Sequence, residues 1–320
     1  MTPLEGLRLA ELAAGVGARF AGRLLAQLGA EVVRPRGPGP ETVGEGELGR
    51  AYAGWLDQGK TEGTAEGAAL AILDGDAAAP EGALAARLGW FAPEGPRAGW
   101  RGSEAVVAAL AGHAHPFGAA EGPPVLPPGD PAQVLGGAVL CIAALAGLIG
   151  RAGGCGPAEV SVPAHEAALC LTETAAPAFA LGGPESRRLG VNRHAPTYPA
   201  TCWETAEGWL GVTALTPAQW RALCGLVGLE DWGAAPRFAT SDLRLEHADE
   251  IDAVMAPRIR ARTAADWAEA GQRLRVPLTP APRPGELPDD PHWRGRGSFA
   301  PLPAPFDGVA GPRAPWRLAP

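Results

Sequence analysis

Residues 7–12 form a short apolar run, 13–18 are small, and 19–28 repeat apolar side chains at helical spacing before Gly29; Glu31-Val32-Val33 then opens a second apolar run. That order predicts strand, helix and strand, and a βαβ opening predicts a parallel sheet. Glycine and proline dominate from 37 to 129, with a strand expected at 69–73 and helices at 83–88 and 103–111. Residues 131–150 carry no charge and are long enough to cross a bilayer, but Gln133, the small residues at the centre and the missing aromatic belt predict a buried core helix instead. A strand at 160–162 and a helix at 164–174 follow. Gly182-Gly183-Pro184 marks a change of composition. Beyond it, a hairpin over 203–213 and helices at 217–227, 243–259 and 264–273 predict a second, smaller α+β domain. The domains are therefore expected at 1–183 and 184–285, with 286–320 as a proline-rich extended segment laid over another surface.

Composition narrows this picture. The 79 Gly and Pro residues (45 and 34) approach the level of disordered chains. A hydrophobic share of 46%, a charged share of 19% and ten tryptophans predict a folded core all the same. A net charge of −8 argues against nucleic acid or an acidic membrane as partner. Five cysteines without CxxC spacing read as buried, reduced thiols, and the amino terminus has no signal-peptide core, so a cytoplasmic location is expected. His113 and His115 have no carboxylate at ligand spacing, and no metal site is read.

The first loop reads Gly15-Val16-Gly17-Ala18-Arg19-Phe20. It lacks the third glycine of a dinucleotide fingerprint, and Phe20 would keep a pyrophosphate away, so NAD is a poor fit. The second strand ends in Arg34-Pro35-Arg36 where an acid would meet the ribose. These two guanidinium groups either contact a ribose phosphate or form a solvated basic strand end.

Several strings, taken together, resemble the family III CoA-transferases, which include formyl-CoA and carnitine CoA-transferases and α-methylacyl-CoA racemases. They are PLEGLRLAELAAGVGARFAGRLLAQLGAEVVRPRGPG at 3–39, LDQGK at 56–60, EGALAARLGW at 81–90, GDPAQVLGGAVLCIAALAGLIGRAGG at 129–154 and VSVPAHEAAL at 160–169. LGVNRHAPTYPATCWETAEGWLGV at 189–212, APRFATSDLRLEH at 235–247 and DDPHWRGRGSF at 289–299 complete the order. The resemblance implies an α/β fold, with a Rossmann-like large domain built on a parallel sheet and a smaller α+β domain, in an interlocked homodimer. It implies acyl-CoA and a small carboxylic acid as substrates, with no tightly bound cofactor.

By the same resemblance Glu166, in VPAHEAAL, falls at the nucleophilic aspartate that attacks the thioester; the other reading is an acid in the first turn of a helix. His165, one residue earlier, is expected to face away from it. Val16, Arg34, Arg36, Lys60, Arg87 and Arg101 are the candidate CoA contacts, Lys60 being the only lysine of the chain. Asp130 is a weaker candidate for the substrate pocket. Racemase chemistry is disfavoured, because Ser103 and Thr216 stand where that branch carries its proton-exchanging His and Glu. The chain is shorter than its family. The strand and loop after EGALAARLGW, the segment that returns to the large domain and the glycine run over the nucleophile are expected to be missing. A non-catalytic CoA-binding relative, or isomerisation or hydrolysis of an acyl-CoA on the same fold, is the competing expectation.

Overall fold

The computed structural model describes residues 2–35, 43–172, 174–183 and 187–318. They divide into two compact units. The first contains β1 (Arg8–Glu11), α1 (Val16–Gln27), β2 (Glu31–Arg34), α2 (Gly46–Leu56), β3 (Lys60–Glu62), β4 (Leu70–Leu73), β5 (Leu84–Gly89), α3 (Glu104–Leu110), α4 (Pro131–Ala152), β6 (Glu159–Pro163), α5 (Ala164–Leu169) and α6 (Ala175–Ala180). Its six-stranded sheet is all parallel, in the order β3-β2-β1-β4-β5-β6. This is the Rossmann-like arrangement expected. Every residue of β4 is buried, as a central strand covered on both faces requires.

Residues 83–88, expected as a helix, are instead strand β5. It is hydrogen-bonded on both sides, Leu70 opposite Leu84 and Ala85 opposite Glu159. Ala and Leu favour a helix only in isolation, and pairing between two buried strands outweighs that preference.

Helices α1 and α4 cross with their backbones in contact. A Cβ on Gly137 would overlap the carbonyl of Gly17, and one on Gly17 would overlap that of Gln133. The glycines of the first loop thus serve helix packing. Gly137→Val is expected to lower stability by about 3 kcal/mol, since backbone cannot move aside as a side chain can, and a urea unfolding curve would read it.

α4 is long and apolar enough to cross a membrane, yet it lies on the sheet through Gly136, Leu140, Ala144 and Gly147. It is not the fully buried helix expected. Ile142 and Ile149 are 68% and 74% exposed, on the face away from the sheet. The cysteines also differ from expectation, because Cys155, Cys170 and Cys202 are exposed. Burial pushes the thiols of Cys141 and Cys224 up to about 11 and about 12.

The second unit comprises Pro116–Pro124 and Arg187–Asp290. It holds β7 (Ala200–Glu204), β8 (Trp209–Thr213), α7 (Pro217–Leu226), α8 (Glu230–Ala234), α9 (Ser241–Glu246), α10 (Ala248–Ile259), α11 (Ala264–Leu274) and β9 (Leu278–Pro280). The antiparallel sheet β7-β8-β9 and these helices enclose a core around Tyr198, Trp220, Phe238 and Met255. The single helix expected at 243–259 breaks at His247 into α9 and α10.

The last segment departs most from expectation. Pro291–Pro320 belongs to the first unit and carries α12 (Pro291–Gly295) and the hairpin β10 (Phe299–Pro301) and β11 (Ala310–Pro312). Arg23 and Trp55 both donate to the Pro312 carbonyl at 2.9 Å, Gln58 to the Pro301 carbonyl at 2.9 Å, and the Ala314 amide to Gln27 at 2.9 Å. The returning segment is therefore present, held because donors on α1, on α2 and just beyond it find acceptors in proline carbonyls.

Candidate active-site cleft

β1 and β4 are neighbours, but the chain leaves β1 toward β2 on one side and β4 toward β5 on the other. At such a switch point the loops beyond the strand ends diverge and leave a crevice. Here the crevice is a cleft of about 650 Å³. Its floor is the head of α1. The Asp74 carboxylate, just after β4, accepts from Ala14 N at 2.7 Å and Gly15 N at 3.0 Å, and Gln133 Oε1 accepts from Gly17 N at 3.0 Å. The head of α4 is closed in the same way by Glu104, which accepts from Ala132 N at 2.5 Å and Gln133 N at 3.3 Å. Burial raises the pKa of that carboxyl.

The far wall follows β5. Arg87 lines the cleft with Trp90, Phe91 and Trp100. Its guanidinium pairs with Glu159 at 3.2 Å and donates to the carbonyls of Gly75 at 2.5 Å and Ala77 at 3.2 Å. β6 and α5 complete the wall through Ser161 and Ala164.

Glu166 lies two residues beyond Ala164, in the first turn of α5, and does not itself line the cleft. Its side chain is 59% exposed. His165 does not turn away from it. The His165 ring packs at a tilt against Phe91, with centroids 5.0 Å apart, Nδ1 lies 3.1 Å from the Trp90 carbonyl, and Nε2 lies 3.8 Å from Glu166 Oε1. A carbonyl can only accept, so Nδ1 carries a proton and Nε2 is the atom presented to the carboxylate.

The other sequence candidates are dispersed. Val16 is buried as the first residue of α1, between Gly15 and the cleft-lining Ala18. Arg34 is tied to Glu11 at 3.1 Å and Asp57 at 2.6 Å. Lys60 is 2% exposed and meets Glu11 at 2.7 Å, Asp57 at 3.4 Å and the Arg19 carbonyl at 2.9 Å. Burial pushes the Glu11 carboxyl up and the Lys60 ammonium down, and their mutual attraction opposes both shifts. Arg19 also bonds Asp57, at 2.6 Å. Lys60 and Arg34 thus neutralise an internal carboxylate pair, because Glu11 on β1 faces them across the sheet edge. Arg101 is exposed and outside the cleft lining, and Arg36 lies outside the described residues. Asp130 precedes α4 and accepts from Tyr52, whose phenol is pushed up to about 12 by burial and by that carboxylate.

Sequence reading missed Asp74, Gln133, Trp90, Phe91 and Trp100. Asp74 carried a usable signal. It follows an all-apolar strand directly, and residues at the carboxyl ends of parallel strands are where such folds place their sites.

Fold and cleft define a Rossmann-like α/β protein with a cleft at the switch point of its parallel sheet. Residues 84–320 match CoA-transferase family III, and the chain belongs to that family. A probable fatty acyl-CoA transferase of Mycobacterium tuberculosis is 26% identical over 316 residues, 83% of this chain and 79% of its own length. The succinate–glutarate CoA-transferase of Agrobacterium fabrum is 25% identical over 338 residues, 92% and 84% of the two chains. An acyl-CoA transferase of Fusarium pseudograminearum is 30% identical over 195 residues, 61% of this chain and 42% of its own length. The crystal structure of a CaiB/BaiF family protein from Brucella suis has the same fold, with a TM-score of 0.84 at 21% identity, over 99% of this chain and 93% of that one.

Proposed function

We propose that this protein moves CoA between carboxylic acids and that Glu166 is its nucleophile. The observation that carries this reading is the placement of Glu166 at the β6–α5 junction. There, among the described residues, its carboxylate accepts no hydrogen bond and meets only His165 Nε2, while the cleft-lining Asp74 and Glu159 are engaged with backbone amides and Arg87. A carboxylate without hydrogen-bond donors keeps its lone pairs for attack.

In the proposed cycle a Glu166 oxygen attacks the thioester carbonyl, the new C–O bond replaces the C–S bond, and CoA leaves as thiolate. The thiolate then attacks the Glu166 carbonyl of the mixed anhydride, releasing the first acid as carboxylate and leaving glutamyl-CoA thioester. The acceptor carboxylate repeats both steps in reverse, so no proton, water or oxidant is consumed. His165 is held beside the carboxylate by the Trp90 carbonyl.

A homodimer belongs to the same proposal. Its support is the stripe of Ile142 and Ile149 on α4, with Phe179 exposed on α6, apolar surface that a second copy would cover.

To test the nucleophile, acyl-CoA would be incubated with the protein, followed by borohydride and peptide mass spectrometry. The expected result is a reduced adduct at Glu166, and a loss of CoA exchange on the order of a thousandfold or more in Glu166→Gln. The position of Ala164, not Glu166, in the cleft wall favours one second reading, a CoA-binding relative without turnover. An acyl-CoA panel giving no adduct and no exchange, with binding intact in Glu166→Gln, would establish that reading instead.

A further inference from the structure

Helix α2 carries two faces that can pack. Gly49, Ala53 and Leu56 are buried in the first unit, whereas Leu48, Tyr52 and Trp55, spaced four and three residues apart, share a second face. That second face walls a pocket of about 580 Å³, lined from the other side by Leu302, Val309 and Gly311 of the returning C-terminal segment. The volume falls in the range of roughly 300 to 1,000 Å³ that small-molecule sites occupy. A Cβ on Gly311 would overlap the Trp55 ring, so the glycine lets the hairpin approach the helix at one end of this space. Leu48 and Val309 are 82% and 44% exposed, which leaves apolar wall in contact with water.

The side chains of this lining offer little to a polar ligand. Trp55 Nε1 already donates to the Pro312 carbonyl at 2.9 Å, and the Tyr52 hydroxyl is engaged by Asp130. Among the described residues the one charged side chain of the lining is Glu45, whose negative sign disfavours an anion. What the wall does offer is rings. Trp55 stacks with Tyr52, centroids 5.9 Å apart at 23°, and with Phe20, centroids 5.8 Å apart at 21°. A flat ring entering the pocket joins this layered wall in the offset or edge contacts that aromatic pairs favour, and it removes apolar surface from water as it does so. We infer that the pocket between α2 and the C-terminal hairpin is a second ligand site and that it takes an uncharged aromatic molecule. Among the described residues it shares no lining residue with the switch-point cleft and does not include Glu166, so it stands apart from the CoA-transfer reading.

The test uses the full chain and three probes: 2-naphthylmethanol, 2-naphthoate, which puts a carboxylate on the same rings, and decahydro-2-naphthylmethanol, which is saturated and no longer flat. Titration calorimetry on the unaltered protein is expected to find 2-naphthylmethanol bound with a Kd of about 100 µM or below. The naphthoate should bind about tenfold more weakly or worse, and the saturated alcohol about threefold more weakly or worse. Val309→Trp, which fills the space from a partly exposed position, should weaken 2-naphthylmethanol by about tenfold or more. Leu48→Asp, at an exposed position, should weaken it by about threefold or more and keeps the test open if the first variant fails to fold. No binding of 2-naphthylmethanol at about 1 mM, or binding unmoved in both variants, would overturn the site. Naphthoate or the saturated alcohol binding as tightly would overturn the ligand class. Saturating CoA is expected to leave the affinity for 2-naphthylmethanol within about twofold of its starting value. Displacement by CoA would overturn the independence of the two sites, while an absence of CoA exchange would bear on the transfer reading alone.

Discussion

Lys60→Met is expected to destabilise the first unit by about 3 kcal/mol, seen as a fall in the urea midpoint with the slope unchanged. Lys60 and Glu11 are both shut away from water, at 2.7 Å from each other. Removing the ammonium leaves Glu11 with Arg34, at 3.1 Å, as its one remaining cation among the described residues. A buried carboxylate short of counter-charge either stays ionised at a cost or takes up a proton, and both outcomes lower stability near neutral pH. Pairing the change with Glu11→Gln, which removes the stranded charge, should recover more than half of the loss. The same variant separates a structural from a ligand-binding lysine. Were Lys60 a surface phosphate contact, Lys60→Met would leave the urea midpoint within about 0.5 kcal/mol of its starting value and weaken CoA binding instead.

Arg244→Met is expected to cost about as much in the second unit. The Arg244 guanidinium is fully buried and donates to the carbonyls of Tyr198 at 2.6 Å, Phe238 at 3.0 Å and Ala214 at 3.2 Å, and to the Ser241 hydroxyl at 2.9 Å. Its charge is offset by these oxygens and by the Trp220 ring, 5.1 Å from its centre. Burial accordingly lowers its pKa. Without it three carbonyls lose their donor inside a core, at roughly 1 kcal/mol or more each. Arg244→Lys should not rescue the loss, because one ammonium cannot reach acceptors spread around a planar fork. A thermal melt in which Arg244→Lys restores the parent midpoint would refute this account.

These two residues mark where sequence reading stops. The opening strand-helix-strand, the long helix at α4 and the hairpin of β7 and β8 were legible, because each needs only local apolar spacing and a turn. β5 was not, since Leu-Ala-Ala-Arg-Leu has helical propensity and becomes a strand only between β4 and β6. The candidate site was legible as a neighbourhood and not as a set of contacts. Arg87, a candidate CoA contact by sequence, lines the cleft, but its partner Glu159 is 72 residues away. Lys60 and Arg34 looked like phosphate ligands because a sequence shows that a residue is cationic and hides which carboxylate it meets.

The amino-acid order alone determined the α/β class, the parallel opening and membership of a CoA-handling family, because periodicity and motif order are properties of neighbouring residues. Tertiary structure decided which charges remain free. Glu11 and Asp57 consume Lys60 and Arg34, Asp74 takes the Ala14 and Gly15 amides before α1, and among the described residues Glu166 is left without a hydrogen bond at the β6–α5 junction. The physical reason is that a charge acts through its distance to other charges and its exposure to water, and both are set by strands and helices brought together from distant parts of the chain.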